Sequence, residues 1–590
     1  MRRRLSVVIF LAALSGLSFA AQPASREIIS VDELKPGQRG EVWTVFRGTE
    51  PEPFTVEVTG VVRNALGPGK SLILCELTDA RVQKMGAVAG MSGSPLYVEG
   101  KLAGALSYQI QKFETVRYAG FTPAADLMEV ETKMAAALAP AAPAIPASSP
   151  QTAATDNLRP LKPVFTLSGL SPVVADLFAP RLAALGLTAT SLGGSMAGGP
   201  NSDLSASNSA TPTASLTPGS AVAVALATGD ITLAGTGTVS AVDGQSITAF
   251  GHPMMSLGDV SLPMCAAEIV TILPSQMQSV KVANTGPVIG TITQDRLSAV
   301  SGMLGPGPEM TDVEVVVHSA SGPAKTLHFS VARQEHLTPV LVATGVSQAI
   351  LGSNDAGLSK GFRLRSDIVF PAKPRLATST LYAGPQGFQQ GLNEFMQDLA
   401  QNLQNPYEKT FPGRVVFSVE PLEQNPAITL ELFQLSRSSA RGGDVVQATL
   451  SWRDYQGDSQ RQTFEIPIDP AWVGKTLDVV LAPGRVLDEM SGRPRVLAAS
   501  QLRSFDAYLD ALREARPADG LCLAVVEKTR LFTDQTSATP EAPSSFERIA
   551  RAADEARFNQ VDAALPLWET HVLAGKLSGV TLRRSLKIVE

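Results

Sequence analysis

A tract that begins at Lys133 constrains the fold of this chain more than any other feature. It reads MAAALAPAAPAIPASSPQTAAT near its start and GGSMAGGPNSDLSASNSATPTAS near its end, at about residue 215. Such segments contain too few large apolar side chains to form a core, so residues 133–215 predict an Ala/Pro/Ser/Gly-rich linker. The chain on both sides carries β patterns. The fold is therefore expected to be built from two separate pieces of chain.

A short helical island is predicted inside this linker, at residues 157–190. In SPVVADLFAPRLAALGL, Ser171 and Pro172 form a typical helix start and Gly186 is placed to end the helix. Pro180 lies in the middle, where it removes a backbone donor. We expect it to break the island into two short helical pieces.

The regions flanking the linker are mainly β. Residues 21–132 alternate strand-like runs with turns, and Glu99-Gly100 separates two such runs as a hairpin turn does. Residues 216–370 resume the pattern, with Asp243-Gly244 as a strong hairpin signal. Each region is therefore predicted to be mainly β.

The remaining chain predicts smaller units. Residues 371–410 contain GFQQGLNEFMQDLAQNL, which predicts a connecting helix. Four alternating runs suggest a β-sandwich-like domain at residues 411–500, and residues 501–590 predict a small α/β tail with two helical segments and a final strand. The apolar face of the connecting helix consists of Phe388, Leu392, Phe395, Leu399 and Leu403.

Composition limits the location and partners of the protein. Residues 1–20 contain three arginines, an apolar run and small residues near Ala20, the pattern of a secretory signal peptide, so we expect a secreted or periplasmic protein of the cell envelope. No later stretch approaches the roughly 18 apolar residues that a membrane helix needs. The net charge of -6 and the lack of a basic cluster beyond the N-terminus argue against nucleic-acid binding. The sequence leaves the oligomeric state open.

Sulfur-containing residues predict neither a disulfide framework nor a cofactor. The chain has 3 cysteines, which are widely spaced, and a single bridge between Cys75 and Cys265 stays open. A group of His252, three methionines and Cys265 has soft ligands of the kind that bind Cu(I). Methionine near a strand is more often core filler, so no metal and no cofactor is predicted.

The motif GMSGSP suggests a nucleophile. A serine hydroxyl needs a nearby base and two backbone N–H groups that hold the developing oxyanion. Gly90 and Gly93 allow the backbone to turn sharply around Ser92, and the amides of Gly90 and Ser92 are the candidate oxyanion donors. The alternative is that Gly, Ser and Pro merely form a turn between strands.

A histidine is the expected base, and the chain has 5. His318 and His328 lie within alternating strand runs, and His571 lies in the predicted helical tail. His252 follows a strand in AFGHP, where flanking Gly and Pro residues direct the chain into a loop. Loop positions on a rigid scaffold commonly carry catalytic groups, so His252 is the candidate.

Together GMSGSPLYVEGKLAGAL and AFGHP resemble the SpoIVB peptidase family of secreted serine peptidases. The resemblance implies a trypsin-like double β-barrel, here divided by the linker, with Ser92 as nucleophile and His252 as base. The acid of that family lies about fifteen positions before the serine in a Thr-Asp pair. It corresponds here to Asp79, thirteen positions before the serine. Asp259 and Asp230 are competing carboxylates.

The order of the motifs departs from the sporulation peptidase of that family, in which the histidine segment precedes the serine segment. The same triad geometry recurs on unrelated folds in different chain orders, so the reversal does not exclude the chemistry. We therefore predict a serine endopeptidase that cleaves a specific protein or peptide substrate, including itself. The alternative is a non-catalytic binding or scaffold protein of the cell envelope that retains the peptidase fold.

Overall fold

The structure of the chain is a computed structural model, which is mainly β, as predicted. The predicted signal peptide and most of both Ala/Ser-rich tracts lie outside the residues that it describes. Among the described helices, none combines the length and the hydropathy needed to cross a bilayer. The described residues are 27–110, 116–137, 158–161, 163–187, 189–190, 194–195, 216–275, 278–319, 322–352, 356–403, 407–408, 410–491, 504–533, 538–540, 545 and 559–590.

The N-terminal region folds into a closed six-stranded antiparallel barrel. Its strands are β1 (Arg39–Thr44), β2 (Glu52–Gly67), β3 (Lys70–Leu77), β4 (Pro95–Val98), β5 (Lys101–Ile110) and β6 (Tyr118–Pro123). They pair in the order β4-β1-β2-β3-β6-β5, and β5 pairs with β4 to close the cycle. Helix α1 (Ala80–Met85) lies between β3 and β4, and α2 (Ala124–Ala137) follows β6.

The predicted hairpin at Glu99-Gly100 is confirmed. Val98 pairs with Lys101, and both loop residues have positive φ, 53° and 79°. These values fit the type I′ turn, whose twist matches that of the flanking strands. Apolar side chains of the barrel strands, among them Val42, Phe54, Ile73 and Phe121, fill its interior.

A larger sheet of 14 strands follows in the described chain. The elements from the tract to residue 421 are β7 (Leu158–Pro160), β8 (Val164–Ser168), α3 (Pro172–Ala184), β9 (Ala189–Thr190), β10 (Gly194–Ser195), β11 (Ala221–Gly229), β12 (Thr232–Asp243), β13 (Ser246–Ala249), β14 (Gly258–Leu273), β15 (Val280–Arg296), β16 (Ala299–Leu304), β17 (Met310–Val317), β18 (Lys325–Ala332), α4 (Leu337–Ser347), β19 (Phe362–Val369), β20 (Leu376–Tyr382), α5 (Gly384–Gln390), α6 (Leu392–Leu403) and β21 (Arg414–Pro421). Six strands of this sheet, β11 to β16, also pair in a closed cycle, in the order β11-β14-β15-β16-β13-β12-β11.

The second predicted hairpin is also confirmed, with a shift of one residue. Asp243 is the last residue of β12 and pairs with Ser246, so Gly244 and Gln245 form the loop. Gly244 has φ 57°, which glycine adopts without strain.

The helical island at 157–190 differs from its prediction in two ways. Helix α3 starts and ends as predicted but runs without a break through Pro180. The Arg181 guanidinium donates to the Leu177 carbonyl at 3.0 Å, and buried Phe178 anchors the helix on the core. The island also contains strands, since β7 pairs with β5 and β8 pairs with β12. Pairing with distant strands overrode a weak local pattern.

Three differences concern the chain after residue 330. Helix α4 was not predicted, because it is apolar and buried on nearly all sides and so lacks an amphipathic period. The connecting helix has its predicted buried face but is divided at Gly391 into α5 and α6. Strand β21, predicted as the first sandwich strand, lies instead between β17 and β19 in the larger sheet.

The C-terminal region contains two sheets that share one apolar core. In the predicted α/β tail, one helical segment, α8 (Phe505–Arg513), and the final strand, β30 (Leu582–Val589), are present. His571 lies on a strand and not in a helix, because β27 (Leu521–Thr533) and β29 (Asn559–Val572) form a long antiparallel pair. Residues 541–544 and 546–558 lie outside the described residues, so the second helical segment stays a prediction. One sheet has the order β22-β24-β25, and the other has β23-β30-β26-β27-β28 with β29 on β27. The elements are β22 (Ile428–Leu435), β23 (Ser439–Arg441), β24 (Val445–Asp454), β25 (Ser459–Pro467), β26 (Thr476–Ala482), α7 (Gly484–Met490), α8 (Phe505–Arg513), β27 (Leu521–Thr533), β28 (Ala538–Pro540), β29 (Asn559–Val572) and β30 (Leu582–Val589).

The bridge between Cys75 and Cys265 that the sequence left open is not formed. All three cysteines are free and buried. Cys75 lies in the core of the N-terminal barrel, whereas Cys265 lies in a separate cluster around β11 and β14. Burial raises the pKa of the Cys265 thiol to about 12. These thiols act as small apolar core residues.

Candidate active site

The GMSGSP loop lies between α1 and β4 and is shaped by its two glycines. Gly90 and Gly93 have φ values of 95° and 94°, which L side chains rarely adopt. Met91 is fully buried in the barrel core, and its carbonyl accepts the Ser94 hydroxyl at 2.6 Å. The loop is therefore a tight turn, as its composition predicts, and Ser92 lies at its centre.

Strand β12 of the second cycle holds this loop in place. The Thr238 amide donates to the Ser92 carbonyl at 2.8 Å, and the Thr238 hydroxyl donates to the Gly90 carbonyl at 3.2 Å. The Ser240 hydroxyl donates to the Gly93 carbonyl at 2.8 Å. A Cβ atom at Gly93 would lie 2.0 Å from the Thr238 carbonyl oxygen. Only glycine allows this close approach.

The loop that carries His252 follows β13 and meets the serine loop at one carbonyl group. The Gly93 amide donates to the Leu106 carbonyl at 2.7 Å, and a Cβ atom at Gly251 would lie 3.2 Å from the same oxygen. From the barrel, the Thr122 hydroxyl donates to the Gly251 carbonyl at 2.7 Å. The structure thus brings the two sequence motifs together, although 160 residues separate Ser92 and His252.

The His252 ring has a defined tautomer. Its Nδ1 lies 2.7 Å from the Pro253 carbonyl oxygen. A carbonyl oxygen can only accept, so Nδ1 carries the hydrogen and the neutral ring has its lone pair on Nε2. Burial lowers the pKa of His252 to about 4, and the carbonyls of Pro253 and Leu161 offset part of this effect. The ring is therefore neutral at pH 7 and can accept a proton.

Two buried polar atoms of this site have no hydrogen-bond partner among the described residues, Ser92 Oγ and His252 Nε2. Ser92 is 0% exposed and His252 is 1% exposed. A buried polar atom without a partner is costly, and such exceptions require an explanation. Reactive groups that pair with a substrate provide one.

The backbone amides of the loop fall into two classes. Those of Met91, Gly93 and Ser94 donate to carbonyl oxygens within or next to the loop. Those of Gly90 and Ser92, the predicted oxyanion donors, make no hydrogen bond within the described chain. They remain available to an added acceptor.

The candidate carboxylates are not in contact with His252 in this structure. Asp79 caps α1, where burial opposes ionisation, but hydrogen bonds from Arg81 lower the pKa of Asp79 overall. Asp259 pairs with Arg296 at 2.6 Å, and Asp230 accepts the His328 amide at 2.7 Å. The third member of a triad is still a prediction.

Asp295 is a buried acid that sequence reasoning missed. It accepts the amides of Met254, Met255 and Leu257 at 2.7, 2.8 and 3.2 Å and so fixes the chain after His252. Burial raises the pKa of Asp295, and the amide hydrogen bonds oppose this shift. No local signal marked Asp295, because it is the penultimate residue of a strand and lies 43 positions after His252.

The described residues contain no group of three or more His, Cys, Asp or Glu side chains that could hold a metal ion. The soft ligands near His252 also diverge. Met264 packs in the largest core, whereas its neighbour Cys265 points into a different cluster.

The N-terminal region resembles a known family. Residues 12–122 match the family model described as SpoIVB peptidase S55. This confirms the resemblance to SpoIVB-type serine peptidases over a segment that includes Asp79 and Ser92, and His252 lies outside it. The match indicates a serine peptidase, which is a hydrolase. No curated protein and no solved structure matches the chain.

Proposed function

We propose, from the match of its N-terminal barrel to SpoIVB peptidase S55, that this protein is a serine endopeptidase with Ser92 as nucleophile and His252 as base. One observation carries the proposal. The two loops meet at the Leu106 carbonyl, and each contributes a buried side-chain atom with no partner in the described chain. Hydroxyl and neutral imidazole are the pair that nucleophilic acyl transfer requires.

The chemistry follows the usual order of acyl transfer. Ser92 Oγ attacks the carbonyl carbon of the scissile peptide while His252 Nε2 takes its proton. The amides of Gly90 and Ser92 bind the oxyanion of the tetrahedral intermediate. His252 then gives the proton to the leaving amine, and a water molecule, deprotonated by the same nitrogen, hydrolyses the acyl-enzyme.

The carbonyl of Pro253 supports this role of His252. It holds Nδ1–H and so keeps the lone pair on Nε2, the function that a carboxylate serves in a Ser-His-Asp triad. Asp79 is the acid that the family resemblance implies. In this structure the Asp79 carboxylate accepts from Arg81 at 3.1 Å, and the Pro253 carbonyl is the group that holds His252 Nδ1.

The two closed strand cycles support a double-barrel arrangement. The serine loop belongs to the first cycle and the histidine loop to the second, and catalytic groups at the junction of two barrels are the arrangement of trypsin-like peptidases. Hydrogen bonds join the serine loop of the first cycle to β12 of the second cycle. The reversed order of the motifs along the chain is therefore compatible with one site. The N-terminal segment supports a secreted or periplasmic location, and the substrate is one or a few proteins, including the chain itself.

Fluorophosphonate labelling of the full-length protein tests the proposal. We expect covalent modification at Ser92 in the wild type and none in Ser92→Ala, with turnover of a cleaved substrate reduced about 10⁴- to 10⁶-fold. His252→Gln should lose most labelling, whereas His318→Gln, a matched change of an exposed histidine that directly follows β17, should keep it. Self-cleavage predicts new N-termini on storage in the wild type that Ser92→Ala lacks. No labelling of the folded wild type at any pH would contradict the proposal.

The second candidate function is a scaffold protein of the cell envelope that lacks activity. It is favoured by the absence of a carboxylate on the His252 ring among the described residues and by the lack of a hydrogen bond between Ser92 and His252. Labelling separates the two functions, because a scaffold gives no difference between wild type and Ser92→Ala.

A further inference from the structure

A buried lysine lies beside the serine loop. Lys281 is 1% exposed and is the second residue of β15. Its amide donates to the Ala89 carbonyl at 2.9 Å, and the Ala89 amide donates to the Ser279 carbonyl at 2.8 Å. The start of β15 is thus paired with the residue that immediately precedes Gly90.

The aliphatic part of Lys281 covers Gly90. A Cβ atom at Gly90 would lie 2.9 Å from Lys281 Cβ and 3.3 Å from its Cγ and Cδ. The lysine stem therefore occupies the space where a side chain at position 90 would lie. It packs against the residue whose amide is a proposed oxyanion donor.

The amine of Lys281 has a single polar contact among the described residues, the hydroxyl of Thr44 at 2.8 Å. Thr44 ends β1 and is fully buried. No carboxylate in the described chain lies within ion-pair distance of this amine. A buried ammonium group with three donors and one neutral acceptor is costly, whereas a neutral amine fits this setting.

Burial is the cause that lowers the pKa of Lys281 to about 7. No neighbouring charge contributes to this shift. The elements in contact with Lys281 are β1, β14, its own strand β15 and the loop at Ala89 and Gly90. The charged and titratable residues on these strands are Arg39, Glu41, Asp259, Cys265, Glu268, Asp295 and Arg296.

We propose that Lys281 is a positioning residue of the peptidase site, whose uncharged amine keeps Gly90 in its oxyanion-binding conformation and whose protonation releases the serine loop. The protonated amine needs water or an anion, so it moves toward solvent and withdraws its stem from Gly90. The reactivity of Ser92 then falls as the solution becomes acidic. This inference rests on the proposed function, because the Gly90 amide matters for catalysis only if Ser92 reacts.

The rate of fluorophosphonate labelling between pH 5.5 and 9 tests the inference. We expect the wild-type rate to fall about tenfold per pH unit below a midpoint near 7. Lys281→Met keeps a long stem without a titrating group, so its rate should be nearly constant over this range. Lys70→Met is the matched control, since Lys70 is paired with Asp126 and Glu129, and it should follow the wild type. A Lys281→Met protein with the wild-type midpoint would overturn the proposal, even if its rate were lower throughout.

A variant that retains the lysine provides a second test. The Thr44 hydroxyl accepts from the Lys281 amine and so favours its charged form. Thr44→Val removes this acceptor and should lower the pKa of Lys281. The midpoint should therefore move to lower pH, and an unchanged midpoint would contradict the role of the Lys281 amine.

Hydrogen exchange of the peptide spanning residues 88–94 separates this inference from the proposed function. After correction for intrinsic exchange, the wild type should lose protection at pH 6 relative to pH 8, and Lys281→Met should not. If this difference is present but Ser92 is never labelled, the peptidase proposal fails and the control of the loop by Lys281 stands. If the wild type shows no difference, the Lys281 proposal fails whatever the labelling result.

Discussion

Two buried basic side chains, one in the C-terminal region and one beside the serine loop, have opposite surroundings. Arg516 in the C-terminal region contacts the carboxylates of Asp488 and Glu569 at 2.5 and 2.6 Å. Lys281 beside the serine loop contacts the hydroxyl of Thr44. Both are at most 5% exposed. Burial alone therefore does not decide the charge of a group, because its partners determine whether the charge is kept.

Arg516 belongs to a structural ion cluster, whereas the amine of Lys281 changes its protonation state near neutral pH. Burial opposes the charge on Arg516, yet its two carboxylate partners raise the pKa of Arg516 overall. Lys281 lacks such a partner within the described chain, and its pKa falls to about 7. Titratable groups with perturbed pKa values and no structural partner are typical of functional sites. The unpartnered atoms of Ser92 and His252 belong to the same junction.

The largest expected effect concerns the stability of the wild type in alkaline solution. Lys281 has a pKa of about 7 when folded and 10.5 as the unperturbed group, so the unfolded chain binds more protons between these values. The free energy of unfolding should rise with pH across this window by up to about 5 kcal/mol. Urea unfolding at each pH, monitored by hydrogen exchange of peptides from the barrel, measures this free energy. The rise should disappear in Lys281→Met. If it persists in that variant, Lys281 is not the group that titrates, and its difference from Arg516 is not established.

A loss of about 3 to 5 kcal/mol in unfolding free energy is expected for Arg516→Met. The change leaves Asp488, which is 1% exposed, without its cation. Urea titration of the C-terminal transition measures the loss, and adding Asp488→Leu should recover much of it. Arg485→Met is the control, because the ion pairs of Arg485 are long and exposed and contribute little. Equal stability of the Arg516 and Arg485 variants would show that the buried cluster is not a structural unit.

The smallest expected effect is a loss of unfolding free energy in acidic solution. His252 has a pKa of about 4 when folded against 6.5 for the unperturbed ring, so the unfolded chain takes up the proton first as the pH falls. Stability should decline between pH 6.5 and 4 by up to about 3 kcal/mol from this residue. His252→Phe should reduce the decline and His318→Gln should leave it unchanged, as measured by urea unfolding at each pH. An unaltered decline in His252→Phe would mean that other groups cause the acid sensitivity.

Local features of the fold were predictable from sequence. Both hairpins, the start and end of α3 and the buried face of the connecting helix follow from short-range patterns of turn residues and apolar spacing. Predictions failed where pairing is non-local. Strand β8 joins β12, β21 enters the larger sheet, and the tail forms strands, because partners far along the chain complete these hydrogen bonds.

For the site, the amino-acid sequence by itself determined which groups are available. GMSGSP requires a tight turn around Ser92, and Gly251 and Pro253 place His252 in a loop. The tertiary structure decided which groups meet. Three contacts join residues that no periodicity in the sequence relates. The serine and histidine loops meet at the Leu106 carbonyl, Asp295 accepts amides of the chain after His252, and the stem of Lys281 covers Gly90. Turn chemistry depends on neighbours in the chain, whereas proximity and burial depend on the packing of the two strand cycles.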